Sequence, residues 1–167
     1  MILNKLSQQI GQPYDQNGDL ASRGTVDAEL LKELNDLSYY KIKPPKSLGY
    51  EWVENNIFPL LSASQLPIED QLATTIEHAT IQIARNLPQG QTLLTGGGAY
   101  NAFLIERLKK SVQVSQQLII PEAHIIEFKE ALIFAFLGVL RSRNEANCLK
   151  SVTGASEDNI GGVVYSK

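Results

Sequence analysis

Apolar residues at Ile2, Leu3, Leu6 and Ile10 share one face of a short helix, which Gly11 and the turn at Pro13 bring to an end. Asp15-Gln16-Asn17-Gly18-Asp19 is turn chemistry; it lacks the carboxylate ladder and closing glutamate of a calcium loop. Thr25 can cap a helix carrying Leu30, Leu31 and Leu34. Pro44-Pro45 then enforces an extended segment, and Ser47 can cap a further helix through Trp52, Val53, Ile57 and Phe58. The longest periodic pattern runs from Ile68 to Leu87, where Ile68, Leu72, Ile76, Ala79, Ile83 and Leu87 form one apolar stripe and His78 falls off it. Pro88-Gln89-Gly90 stops that helix before a β-type run at 91–95. Three glycines follow, then a helix bearing Phe103, Leu104, Ile105 and Leu108. Val112 to Ile120 reads as a second strand ended by Pro121, and the next helix carries Glu127 and Glu130 ahead of an unbroken apolar run from Ala131 to Leu140. Residues 151–156 read as loop and Ile160 to Tyr165 as a short terminal strand.

This order predicts an α/β fold with parallel strands, helix-rich, with two or three strands. So few strands cannot cover a helix that is apolar all round at 131–140, so either a partner subunit or a truncated chain is expected.

Composition narrows the classes. With 167 residues, 43% hydrophobic and 20% charged, the chain can hold one domain with a real core. A net charge of -3 with scattered basic residues leaves no footprint for nucleic acid or an anionic membrane. The apolar run is too short to span a bilayer and the N-terminus lacks the ordered regions of a signal peptide, so a cytoplasmic address is expected. The single cysteine, Cys148, excludes an internal disulfide, and with only His78 and His124 as imidazoles no metal site is expected. Neither histidine has a sequence partner that would make it a base.

The chemistry concentrates at Gly96-Gly97-Gly98-Ala99-Tyr100-Asn101. Glycines lack the Cβ that would keep a phosphate or ribose away, and a helix starting near Asn101 directs its positive end at a bound anion. The spacing is neither G-x-G-x-x-G nor a P-loop, so a ligand cradle and a plain strand-to-helix turn both fit it.

Together the motifs resemble the C-terminal portion of the anhydro-N-acetylmuramic acid kinases, sugar kinases of the actin-like, ribonuclease-H-like ATPase superfamily. The resemblance rests on Gln12-Pro13-Tyr14-Asp15 with Gly18, Pro44-Pro45-Lys46-Ser47, Glu69-Asp70 with Ala73-Thr74, and Gly96-Gly97-Gly98-Ala99 with Asn101. Glu130-Ala131 with Phe134-Ala135 and Ser151-Val152-Thr153-Gly154-Ala155 complete it, in the family's order and approximate spacing. Leu48, Glu127 and Lys150 depart from the residues common in the family.

The resemblance implies a partial ribonuclease-H-like C-terminal lobe over residues 1–167, from a two-lobe kinase whose N-terminal lobe is absent. It implies ATP and Mg2+ as cofactors, a small sugar as substrate and a homodimer as an assembly open to the full-length protein. The family's first phosphate loop and catalytic aspartate precede the matching segment, so no catalytic residue is expected here and the chain alone is expected to be inactive. Gly96, Gly97, Gly98 and Asn101 become expected nucleotide-binding residues. Glu130 is either a substrate contact in the cleft or a carboxylate that stabilises its helix start. Ser47 reads as a cap, Lys46 as a solvated charge, Thr153 as loop or site wall, and Cys148 as inert. The competing expectation is a non-catalytic nucleotide- or partner-binding module of the same fold, for which Tyr100 and Trp52 would serve as anchors or as core.

Overall fold

The computed structural model describes residues 1–165. It is helix-rich, with one small parallel sheet, and divides into two compact units. One unit comprises Met1–Ile42 with Leu48–Pro121; the other comprises Lys43–Ser47 with Glu122 onward.

The first unit is built around a long helix. Helix α1 (Ile2–Gln8), α2 (Ala28–Asp36), α3 (Tyr50–Asn56) and α4 (Phe58–Ser64) precede α5 (Ile68–Asn86), against which α1, α2 and the later α6 (Ala102–Ser111) pack. Leu6, Leu30, Leu34, Val53, Ile57, Leu61, Leu72 and Ile76 interlock as the buried core. Because α5 has neighbours on several sides, its N-terminal half is buried beyond one stripe: Gln71, Ala73, Thr74, Thr75 and His78 are also enclosed, whereas Ile83 is exposed.

The polar residues within that enclosure are used by loops. Asp70 Oδ1 accepts the Thr25 N–H at 2.7 Å, and Thr74 Oγ1 accepts the Asp27 N–H at 2.9 Å. Thr25 is therefore not the cap of α2; Asp27 is, its Oδ1 accepting the Leu30 N–H at 2.8 Å. Ser47 does not cap α3 either, since Gly49 occupies the N-cap position and no side chain bonds there. Glu77 of α5 receives both Arg107 Nε, at 2.7 Å, and Arg107 Nη2, tying α5 to α6.

His78, expected off the buried face, is 4% exposed. Its Nδ1 lies 2.9 Å from Asn35 Oδ1 and its Nε2 lies 2.9 Å from the Tyr40 hydroxyl, while Gln82 Nε2 donates to the same Asn35 oxygen at 2.6 Å. Tyr40 stacks edge-on against the imidazole and against Trp52, so Trp52 belongs to an internal aromatic cluster. Burial without a carboxylate partner pushes the His78 imidazole down to about 4. The unfolded chain takes up this proton below its ordinary value near 6.5 and the folded chain does not, so stability is full above that pH and is lost as the pH falls toward 4. Urea unfolding at pH 7 and pH 5 should differ by roughly 1–2 kcal/mol from this residue, allowing for solvent screening. His78→Gln, which cannot titrate, should flatten that dependence.

Strand β1 (Gly90–Leu93) pairs in parallel with β2 (Gln116–Ile119), in register from Gly90 opposite Gln116 to Leu93 opposite Ile119. The second strand starts later than its β-branched residues suggest. The Val112 N–H still closes the last turn of α6 on Leu108, and Gln116 N–H closes a turn on Gln113 at 2.9 Å, so the ladder cannot begin before Gln116.

In the second unit, α7 (Ala123–Ser142) contains the expected apolar run, and Phe128, Leu132, Phe134, Phe136 and Val139 are exposed on it. The tail departs from expectation twice. Residues Lys150–Thr153 form a helical turn, α8, because the Asp158 carboxylate accepts the Lys150 N–H at 2.8 Å. The segment 160–165 is not a strand. Asn147 accepts the Gly161 N–H at 2.6 Å and donates to the Gly161 carbonyl at 3.2 Å, so a side-chain amide occupies the groups a ladder would need. Among the described residues of this tail, pairing is confined to the bridge between Cys148 and Asn159. Gly154 ends α8 in the left-handed region at φ +74, its α-carbon facing the Pro45 ring, so the diproline and Val-Thr-Gly motifs meet here.

Candidate functional site: a glycine turn and its pocket

Beyond β1 the Leu94 N–H extends the pairing to the Ile119 carbonyl at 2.8 Å, and the chain then turns sharply at Gly96, with φ 82 and ψ 176, a conformation essentially restricted to glycine. Gly97–Tyr100 form a single 3-10 turn, closed by Ala99 N–H on the Gly96 carbonyl and Asn101 N–H on the Gly98 carbonyl. Asn101 is buried and caps α6, its Oδ1 accepting the Leu104 N–H at 2.9 Å. Its side chain thus fixes the strand-turn-helix geometry, and the turn presents backbone at the positive end of α6.

Gly97 and Gly98 are exposed and line a pocket of about 620 Å³. Their residue type has no explanation inside the protein. Neither has a positive φ; a Cβ on Gly97 would meet nothing within 4 Å, and one on Gly98 would meet only Leu104 Cδ2 at an ordinary 3.7 Å. Neither glycine is therefore required by packing or by its backbone angles, and at the edge of a pocket such residues leave the backbone open to close approach by a ligand.

The same pocket is lined by Tyr14, Asp15, Gln16 and Asn17; the sequence reads 15–19 as a turn and counts Tyr14, Asp15 and Gly18 in a family motif, but does not make them site residues. Asp15 is buried, and its two oxygens accept the N–H groups of Leu20 at 2.8 Å and Ala21 at 3.1 Å. Gly18 has φ +80 and lies directly against Asn101 Oδ1 and Phe103 Cβ, leaving no room for a side chain. The available signal was the Tyr-Asp-x-x-Gly spacing itself: a buried carboxylate that holds the loop, and a glycine that lets the loop touch the cap of α6.

The other sequence candidates lie elsewhere. Glu130 is exposed on α7, in the second unit, and Lys46 and Ser47 belong to that unit too. The Thr153 hydroxyl donates to the Leu149 carbonyl at 3.0 Å within α8, a local structural bond. Cys148 is exposed, and His124 lies 3.3 Å from Glu122 on the surface. Among the described residues no three His, Cys, Asp or Glu side chains gather where they could hold a metal ion. No helix among them is long and apolar enough to cross a membrane.

A strand, a turn in which Gly96 is required by its backbone angles while Gly97 and Gly98 are not, a capped helix and an adjoining pocket lie together in this α/β chain. The anhydro-N-acetylmuramic acid kinase family model matches residues 1–167, and the chain belongs to that family. It is 32% identical over 173 aligned residues to the anhydro-N-acetylmuramic acid kinase of Sulfurimonas denitrificans, covering 96% of this chain and 47% of that protein. With the kinase of Gloeobacter violaceus it shares 35% identity over 156 residues, covering 87% of this chain and 41% of that protein. The chain spans about half the length of the curated relatives it matches.

Proposed function

We propose that this chain is the nucleotide-holding C-terminal lobe of a kinase that opens 1,6-anhydro-N-acetylmuramic acid with water and phosphorylates its C6 oxygen, a step of cell-wall recycling in the cytoplasm. The observation that carries the reading is the pair Gly97 and Gly98, glycines whose absent side chains serve the pocket and not the fold. In this reading the turn cradles ATP by backbone contact while Asn101 holds the start of α6 in place. Such a cradle suits phosphoryl transfer, which depends on positioning and charge stabilisation more than on covalent help. Mg2+ would arrive with the nucleotide. Glu130 is the proposed sugar contact from this lobe.

No side chain at the pocket is placed as a base. Asp15, a carboxylate that lines the pocket, has both oxygens engaged by backbone N–H groups. The group that activates water would therefore come from the N-terminal lobe. The purified chain should show no transfer of phosphate from ATP to the anhydro sugar, and co-expression with the N-terminal lobe of a related kinase should restore it. Turnover by the chain alone would contradict the division of labour, and an inactive complex of the two lobes would contradict the assignment.

A second reading, a non-catalytic module that binds a nucleotide or a partner, is favoured by the exposed apolar residues of α7. Restored activity in the two-lobe assay separates the two readings.

A further inference from the structure

One side of the pocket has chemistry distinct from the glycine turn. Among the described residues no lysine or arginine lines any part of the pocket, so a triphosphate tail would rely on backbone N–H groups, and those are offered by the glycine turn at the positive end of α6 rather than by this side. This side offers instead an aromatic ring and carboxamides. Tyr14 is 54% exposed, and the side-chain amides of Gln16 and Asn17 make no hydrogen bond within the described protein. Asn17 is held in the left-handed region at φ 56 and ψ 0. The loop that carries them is pinned from below by the Asp15 carboxylate and by Gly18 against Asn101, so its shape is fixed before any ligand arrives.

We propose that Tyr14, Gln16 and Asn17 form the nucleobase-reading wall of this site, the ring offering a stacking face and the two amides reading the hydrogen-bonding edge of the base. The inference rests on the nucleotide reading above and adds to it the residues that set base selectivity. An amide can donate and accept, so a fixed pair of them matches one purine edge and leaves unpaired groups against the other. The triphosphate then extends away from this wall, toward the glycine turn.

The test is displacement of a fluorescent ATP analogue from the chain by ATP, GTP and inorganic tripolyphosphate, for the wild type and for the double variant Gln16→Ala/Asn17→Gly. Glycine at 17 keeps the left-handed backbone, so the loop retains its path. Expected are a wild-type preference of about tenfold or more between the purines, weak competition by tripolyphosphate, and a preference reduced to about twofold in the double variant. Tyr14→Leu should weaken both purines together. A purine ratio unchanged by the double variant, no preference in the wild type, or tripolyphosphate competing as well as ATP would each overturn the wall while leaving nucleotide binding intact. Failure of the wild type to bind the fluorescent analogue at all would overturn the nucleotide reading itself.

Discussion

Gly24→Ala should be the most destabilising single-methyl change in this chain, lowering unfolding free energy by about 3 kcal/mol. The reason is steric and not conformational, since Gly24 has ordinary extended angles of φ -80 and ψ 161. A Cβ there would overlap the Glu69 carbonyl and come within 2.8 Å of Asp70 N, all of it backbone at the N-terminus of α5. Backbone cannot rotate away as a side chain can. The loop would have to lift, and lifting it breaks the bonds from Thr25 N–H to Asp70 and from Asp27 N–H to Thr74. Urea denaturation should show a lower midpoint at unchanged slope, with Gly97→Ala, whose added methyl meets nothing, close to wild type.

Gly97→Val should give the opposite pattern, with small loss of stability and large loss of nucleotide binding. The added Cβ meets no protein atom within 4 Å, so the melting temperature should stay within a few degrees. Nucleotide affinity should fall about a hundredfold, equivalent to roughly 2.8 kcal/mol. Calorimetric titration with ATP, alongside thermal melts with and without it, checks both halves. Equal loss of melting temperature with and without ATP would make the turn purely structural.

The sequence showed most clearly what local pattern controls. The period of α5, the glycine turn and the parallel pairing of β1 with β2 follow from apolar spacing, backbone freedom and the helix between the strands. What it hid depended on distant partners. Asp27 outcompetes Thr25 as the cap of α2 because Thr25 is held by Asp70, 45 residues away. The tail at 160–165 reads as a strand until Asn147 is seen to take its backbone groups. His78 looks solvent-facing on a helical projection because a single stripe assumes one buried face, whereas α5 is enclosed on several. Of the candidate site, Gly96–Asn101 was legible, but Tyr14–Asn17 was not, since a turn's own residues carry no sign of which pocket they line.

The most direct test of the nucleotide assignment is the amide spectrum of the isotope-labelled chain during titration with ATP. The account predicts shifts concentrated at Tyr14 to Gly18 and Gly96 to Asn101, absent in Gly97→Val. Saturating ATP that leaves these amides unmoved, or moves only residues elsewhere, would contradict it.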